Sequence, residues 1–257
     1  MRRSAAIAVA AACASAHAGP YAAHGVLDTE VAHWAASVVS LERGYQNIAN
    51  PSLGLATFGA AGNSLGARDG SFVSLGDGGS ITLFLEKGVS NGPGWDFAVW
   101  ENGFLSGGLV FAELAFVEVS SNGTDFFRFP SVSLTQTATQ VASFGLLDPT
   151  NIHNLAGQFA APEGTPFDLE DLVGVSPLLD LGRVHYVRLV DVVGSIDPAY
   201  ARYDSFGNAI NDPWPTPFGS SGFDLDAVGA RYQAVPEPAS ATVLLMGLGA
   251  ALRRRRR

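Results

Sequence analysis

The chain has 257 residues, enough for one large domain or two small ones. It carries 24 acidic against 15 basic residues, a formal net charge of −9, and a surface of that sign repels the phosphate backbone of a nucleic acid. Its single cysteine, Cys13, excludes an intrachain disulfide framework and a thiolate metal site.

The start, MRRSAAIAVAAACASAHAGP, has the three parts of an export signal in order. Arg2 and Arg3 form a basic n-region, residues 5–14 form a short apolar run, and Ala16-His17-Ala18 is a small-x-small cleavage triplet. A signal peptide over 1–18 is expected, and Cys13 leaves with it. The body is expected to run from 19 to 235 as one β-sandwich domain.

Along the body, Val31, Trp34, Ala35 and Val38 fall at helical spacing, so a short helix capped by Asp28 or Thr29 is expected to reach Val39. Residues 51–70 are rich in Gly, Ala, Ser and Asn and read as loop. Strands are expected over 71–75, 80–85 (SITLFL) and 96–101 (DFAVWE), with turns at 76–79 and 91–94. Residues 112–120 and 125–129 flank Asn122-Gly123, a dipeptide that takes the positive φ angles of a hairpin turn. Residues 132–183 give no clear pattern, and Pro162, Pro166 and Pro177 limit regular structure there. Residues 184–193 (VHYVRLVDVV) read as a strong strand, 197–221 as a polar Pro-rich loop, and 223–232 as the last strand. The fold class is therefore all-β, a jelly-roll-like sandwich.

The end reads VPEPASATVLLMGLGAALRRRRR. An apolar run of 12 residues, 241–252, is short against the roughly 20 of a comfortable membrane span, and five arginines close it. Pro236-Glu237-Pro238, a short apolar helix and a basic cluster, in this order over 236–257, resemble the PEP-CTERM sorting signal of Gram-negative bacteria. The resemblance implies processing by an exosortase-type enzyme near the triplet and transient inner-membrane insertion of the tail. It implies a final place at the cell surface, the outer membrane or outside the cell. With seven basic residues and Glu237 in the two ends, the body keeps eight basic and 23 acidic residues, a net −15.

Four acidic groups stand out in that body: Asp96 with Glu101 and Asn102; Asp191 with Asp197; Asp204 with Asp212; and Asp224 with Asp226. Positions two apart on a strand share a face, so Asp224 and Asp226 lie about 7 Å apart and repel unless solvated or bridged. Calcium takes six to eight hard oxygen ligands and suits such a set, so all nine residues are candidate calcium ligands. Asx-turns and solvated strand ends are the plainer account of the same residues. The D-x-[DN]-x-[DN]-G order of an EF-hand is absent.

The segments GDGGSITLFL, DFAVWENGF, ELAFVEVSSNGTDFFRF, TPFDLEDL, VRLVDVVG and GFDLDAVGARY resemble a family of bacterial cell-surface proteins, many with PEP-CTERM tails. The FDLDAV segment after a VRLVDV strand is similar to the last strands of carbohydrate-binding jelly rolls, which often carry a structural calcium. That likeness implies a glycan or exopolysaccharide ligand. Trp214 and Tyr203 are the candidate stacking platforms, while Phe97 and Trp100 read as core. Enzyme signals are poor. Gly62-Asn63-Ser64-Leu65-Gly66 matches a nucleophile-elbow pattern but lies in a loop rather than between strand and helix. His24, His33, His153 and His185 lack H-E-x-x-H spacing. The expected function is a non-enzymatic, calcium-stabilised surface protein that binds glycan or supports adhesion. A polysaccharide hydrolase and a purely structural biofilm component are the alternatives.

Overall fold

The computed structural model describes residues 19–111 and 113–234. Fifteen strands and five short 3-10 turns make up its regular structure. In chain order the strands are β1 (His33–Trp34), β2 (Ser37–Glu42), β3 (Val73–Ser74), β4 (Ser80–Val89), β5 (Phe97–Glu101), β6 (Phe104–Ser106), β7 (Leu109–Phe111) and β8 (Ala115–Ser120). They continue with β9 (Phe127–Arg128), β10 (Val132–Ser133), β11 (Ile152–His153), β12 (Leu155–Ala156), β13 (Thr165–Phe167), β14 (Val184–Asp191) and β15 (Asp224–Ala230).

One sheet runs β12-β8-β14-β4-β2 with β9 beside β8, and the other runs β1-β15-β5-β13 with β3 beside β15. Their pairings are antiparallel, and the chain crosses repeatedly between sheets, with β4, β8 and β14 in one and β5, β13 and β15 in the other. This is the expected all-β, sandwich-like architecture. Alternation builds the core: Ile81, Leu83 and Leu85 of β4, Val117 and Val119 of β8, and Val187 and Leu189 of β14 face Phe97, Val99, Leu225 and Val228 of the other sheet.

β5 is buried on both faces. Phe97 and Val99 point into the main core, while Ala98 and Trp100 pack with Ala227 under Val26, Val31 and Trp34. The Trp34 and Trp100 rings lie 5.1 Å apart. Both residues read as core are fully buried, on opposite faces of the strand.

Two local expectations are corrected. No helix spans 28–39; a single 3-10 turn, Asp28–Glu30, has no side-chain cap and leads into β1 and β2. Val38, Val39 and their serines instead form an edge strand on β4, where the sheet supplies ladder hydrogen bonds that outweigh the weak helical spacing. The hairpin at Asn122-Gly123 exists, with Glu118 opposite Arg128 and Val119 opposite Phe127, but its loop is wider than a two-residue turn. The Asn122 side chain accepts from the amides of Thr124 and Asp125, and the Ser120 hydroxyl accepts from Asn122 and Gly123. No helix among the described residues is long and apolar enough to cross a membrane. The expected signal peptide and C-terminal sorting helix, with Pro236, Glu237 and Pro238, lie outside the described residues.

The topology gathers strand ends at one end of the sandwich. Glu101 closes β5, Asp224 opens the neighbouring β15, Asp191 closes β14 and Glu113 precedes β8.

Candidate functional site

Most of the singled-out carboxylates hold backbone. Asp96 accepts from the amides of Gly92 (2.8 Å) and Leu169 (2.7 Å), and Asp191 from those of Gly78 (2.8 Å) and Phe223 (2.7 Å). Asp226 accepts from Asp69 and Gly70, and Asp212 from Leu114 at 2.9 Å. Asp204 is the most fully engaged, accepting from the amides of Ser133, Phe206 and Asn208 and from the Asn208 side chain. Asp197 is exposed and caps Ala199. Each such carboxylate pins a loop that no regular ladder reaches.

Burial governs their charge. It pushes Asp96 up to about 6, Asp224 to about 7 and Asp191 to about 8, and it holds Glu101, Glu113 and Asp212 well above the usual carboxylate range. Burial also opposes the charge on Asp204, but the hydrogen bonds from Asn208, Ser133 and Phe206 together hold it below that range.

Five of the nine expected calcium ligands come together: Glu101, Asn102, Asp191, Asp212 and Asp224. Glu113 and Asp77 join them, Glu113 through Asp224, Asp191 and Asp212, and Asp77 through Asp191. Asp96, Asp197, Asp204 and Asp226 do not join this group through any hydrogen bond described for them; their acceptors serve their own loops. Among the described residues, no three His, Cys, Asp or Glu side chains are grouped so as to hold a metal ion. Glu113 was missed in the sequence because it sits outside the four acidic groups, yet it is buried and accepts from Thr216 Oγ1 at 2.5 Å and the Gly222 amide at 3.1 Å.

Two cavities open beside these residues. The first, about 250 Å³, has walls of Phe72, Phe104, Phe111, Phe144 and Phe218 and presents Glu113 and Asp224. Its rings touch in series: Phe104 stacks on Phe111 at 4.9 Å, Phe144 lies 5.9 Å from Phe111, and Phe218 lies 6.1 Å from Phe144. The second, about 520 Å³ and more open, is a polar cleft between Ser133, Thr135, Gln136 and Thr137 on one side and Tyr203 and Asn208 on the other. Tyr203 is 51% exposed, and its backbone is fixed by a bridge to Ala209. The Ser133 and Thr135 hydroxyls are buried in that lining without a hydrogen-bond partner.

The other candidate platform, Trp214, is anchored. Its indole N–H donates to Asp77 Oδ2 at 3.0 Å, and its ring leans on Tyr200 at 6.1 Å. Ser64 of the elbow-like pattern is fully buried in a 3-10 turn and donates its hydroxyl to the Ala61 carbonyl. His185 stacks on Phe84 and its Nδ1 lies 3.1 Å from the Leu85 carbonyl.

Residues 234–257 match the PEP-CTERM protein-sorting motif. No curated protein matches the chain in a sequence comparison. The motif marks an exported protein sorted by an exosortase to the cell surface or the extracellular space.

Proposed function

We propose that the exported body is a non-enzymatic carbohydrate-binding module whose sugar site is the open polar cleft beside Tyr203. The observation that carries this reading is an exposed, backbone-fixed tyrosine ring on the wall of a cleft otherwise lined by hydroxyl and amide side chains. A pyranose offers the complementary surface: an apolar face for the ring and hydroxyls for the polar wall. Sorting to the cell surface or the extracellular space is compatible with this reading.

Trp214 has no part in binding on this reading, because its indole N–H and one face are already committed. This reading does not call on calcium: Asp96, Asp191 and Asp204 already accept from backbone amides, and among the described residues no three acidic side chains group for an ion. A glycan array probed with the full chain and with Tyr203→Ala tests the proposal. Ring stacking worth about 0.5–1.5 kcal/mol predicts about a 2–10-fold weaker binding for the variant. Absence of any glycan ligand, or unchanged binding by the variant, rejects the Tyr203 cleft as a sugar site.

A further inference from the structure

We infer that the phenylalanine-walled cavity is a second binding site, distinct from the Tyr203 cleft, and that it takes a small alkylammonium group. The inference rests on three observations of one place.

The first is a set of carboxyl groups without a counter-ion: burial keeps them largely protonated, and a bound cation would favour their ionised form. Glu113 and Asp224 line the cavity, and Glu101 neighbours Asp224 across the β5–β15 ladder. The charged groups that act on Glu101 and Glu113 are Asp224, Asp191 and Asp212, all acidic, and among the described residues no Lys or Arg lines the cavity. Arg202, which acts on Asp77 and Asp191, serves the far side of the acidic group.

The second is a further buried carboxyl just behind the wall. Glu101 is 2% exposed; among the described residues its Oε2 has no side-chain partner, and the Gly103 backbone amide is the group that faces its carboxyl. Oε2 lies 2.5 Å from where a β-carbon on Gly103 would stand, between Asn102 and Phe104, both of which line the cavity. The Glu101 carboxyl stands behind the cavity wall rather than in the lining, so it adds to the acidity beside the cavity without touching an occupant.

The third is the wall. Hydrated calcium has no use for phenylalanine, and no three acidic side chains group for a metal among the described residues. An alkylated ammonium group does use it: its methyl or methylene surface fits the rings, and its charge is attracted by their faces. At about 250 Å³ the cavity holds an end group rather than a whole drug-sized molecule, whose pockets run from about 300 Å³ upward. Phe144 and Phe104 are 69% and 50% exposed at its mouth, so the rest of a larger amine-bearing molecule can remain in solvent.

The test is titration calorimetry and thermal unfolding of the full chain with tetramethylammonium, n-butylammonium, calcium and tert-butanol, at constant ionic strength. Both ammonium ions are expected to bind saturably and raise Tm, while calcium and tert-butanol leave it unchanged. Phe144→Ala, a change at an exposed ring, is expected to fold as the parent and to weaken ammonium binding about 2–10-fold, the range of one cation–π contact. Asp224→Asn is expected to weaken it further, and Tyr203→Ala to leave it unaltered. Equal binding of tert-butanol would reduce the site to an apolar pocket, saturable calcium binding would make it a metal site, and no saturable ammonium binding would remove it. Each of these outcomes overturns the inference, and none bears on the glycan cleft.

Discussion

Asp191 gives the sharpest test of how the buried acids hold this fold. It is 1% exposed and accepts two backbone hydrogen bonds, from Gly78 in the turn before β4 and from Phe223 just before β15. Burial first, and the neighbouring Asp77 second, raise its carboxyl from 3.8 to about 8, against the pull of those two amides and Arg202. The unfolded chain releases this proton near pH 3.8 and the folded chain near pH 8, so between them the folded state binds one proton more. The group's contribution is therefore greatest below pH 3.8, declines through the window and is lost above about pH 8. One proton corresponds to about 1.4 kcal/mol per pH unit. For a body of this size that is about 3–5 °C of Tm per pH unit. Asparagine cannot ionise, and its amide group faces one of the two N–H donors, which costs about 1–3 kcal/mol at all pH values. Asp191→Asn should thus melt lower but with a shallower pH slope, by about 3–5 °C per unit, in circular-dichroism melts between about pH 5 and pH 7. Parallel slopes for parent and variant would show that Asp191 carries no extra proton in the fold and would refute the reasoning.

Other changes test other parts of the molecule. Trp100→Ala empties the space between β5 and the N-terminal segment and should cost about 3–5 kcal/mol in chemical denaturation. Gly194→Ala adds a β-carbon that would overlap Asp212 Oδ1 at a positive φ of 75°, and should lower Tm by several degrees, whereas Gly207→Ala, with open space around it, should cost only the strain of its own φ. Asp204→Ala frees the amides of Ser133, Phe206 and Asn208 and should raise their hydrogen-exchange rates and loosen the Tyr203 cleft, with about 1–3 kcal/mol lost overall. Addition of calcium or of a chelator should leave the melting temperature unchanged, because backbone amides already occupy the carboxylates; a calcium-dependent rise would restore the ion as stabiliser.

The main strands were legible before the structure. Residues 96–101, 184–193 and 223–232 contain β5, β14 and β15, and 80–85 covers the first six residues of β4, because short Val-, Phe- and Leu-rich runs bounded by turn residues mark buried strands. The edge strand β2 was not legible, since four residues at helical spacing are also compatible with a strand whose partner lies forty residues on. The acidic residues were visible, but their partners were not. Apart from nearby Gly92, the amides from which Asp96 and Asp226 accept belong to Leu169 and to Asp69 and Gly70, far away in the chain, and nothing at the acid itself announces them. The ammonium cavity left no sequence signal at all: Phe72, Phe104, Phe111, Phe144 and Phe218 come from five separate segments and share no spacing.

These parts combine into one physical account of an exported domain without a cysteine in its body. Long loops at the end of a sandwich need cross-links, and disulfides and grouped metal ligands are both lacking among the described residues. Backbone amides held by buried carboxyl groups supply the cross-links, as in Asp96 with Leu169, Asp191 with Phe223 and Asp212 with Leu114. Packing several acids together makes each harder to ionise, so the set holds best when partly protonated. Glu113 and Asp224 cross-link from the cavity wall, Glu113 accepting from the Thr216 hydroxyl and the Gly222 amide and Asp224 from the Ser74 hydroxyl, and among the described residues no Lys or Arg lines the cavity beside them. The described bonds reach one oxygen of each, Glu113 Oε1 and Asp224 Oδ1, whereas those of Asp204 reach both. That difference separates a loop-holding acid from a ligand-facing one, and it assigns the two roles to different ends of the same cluster.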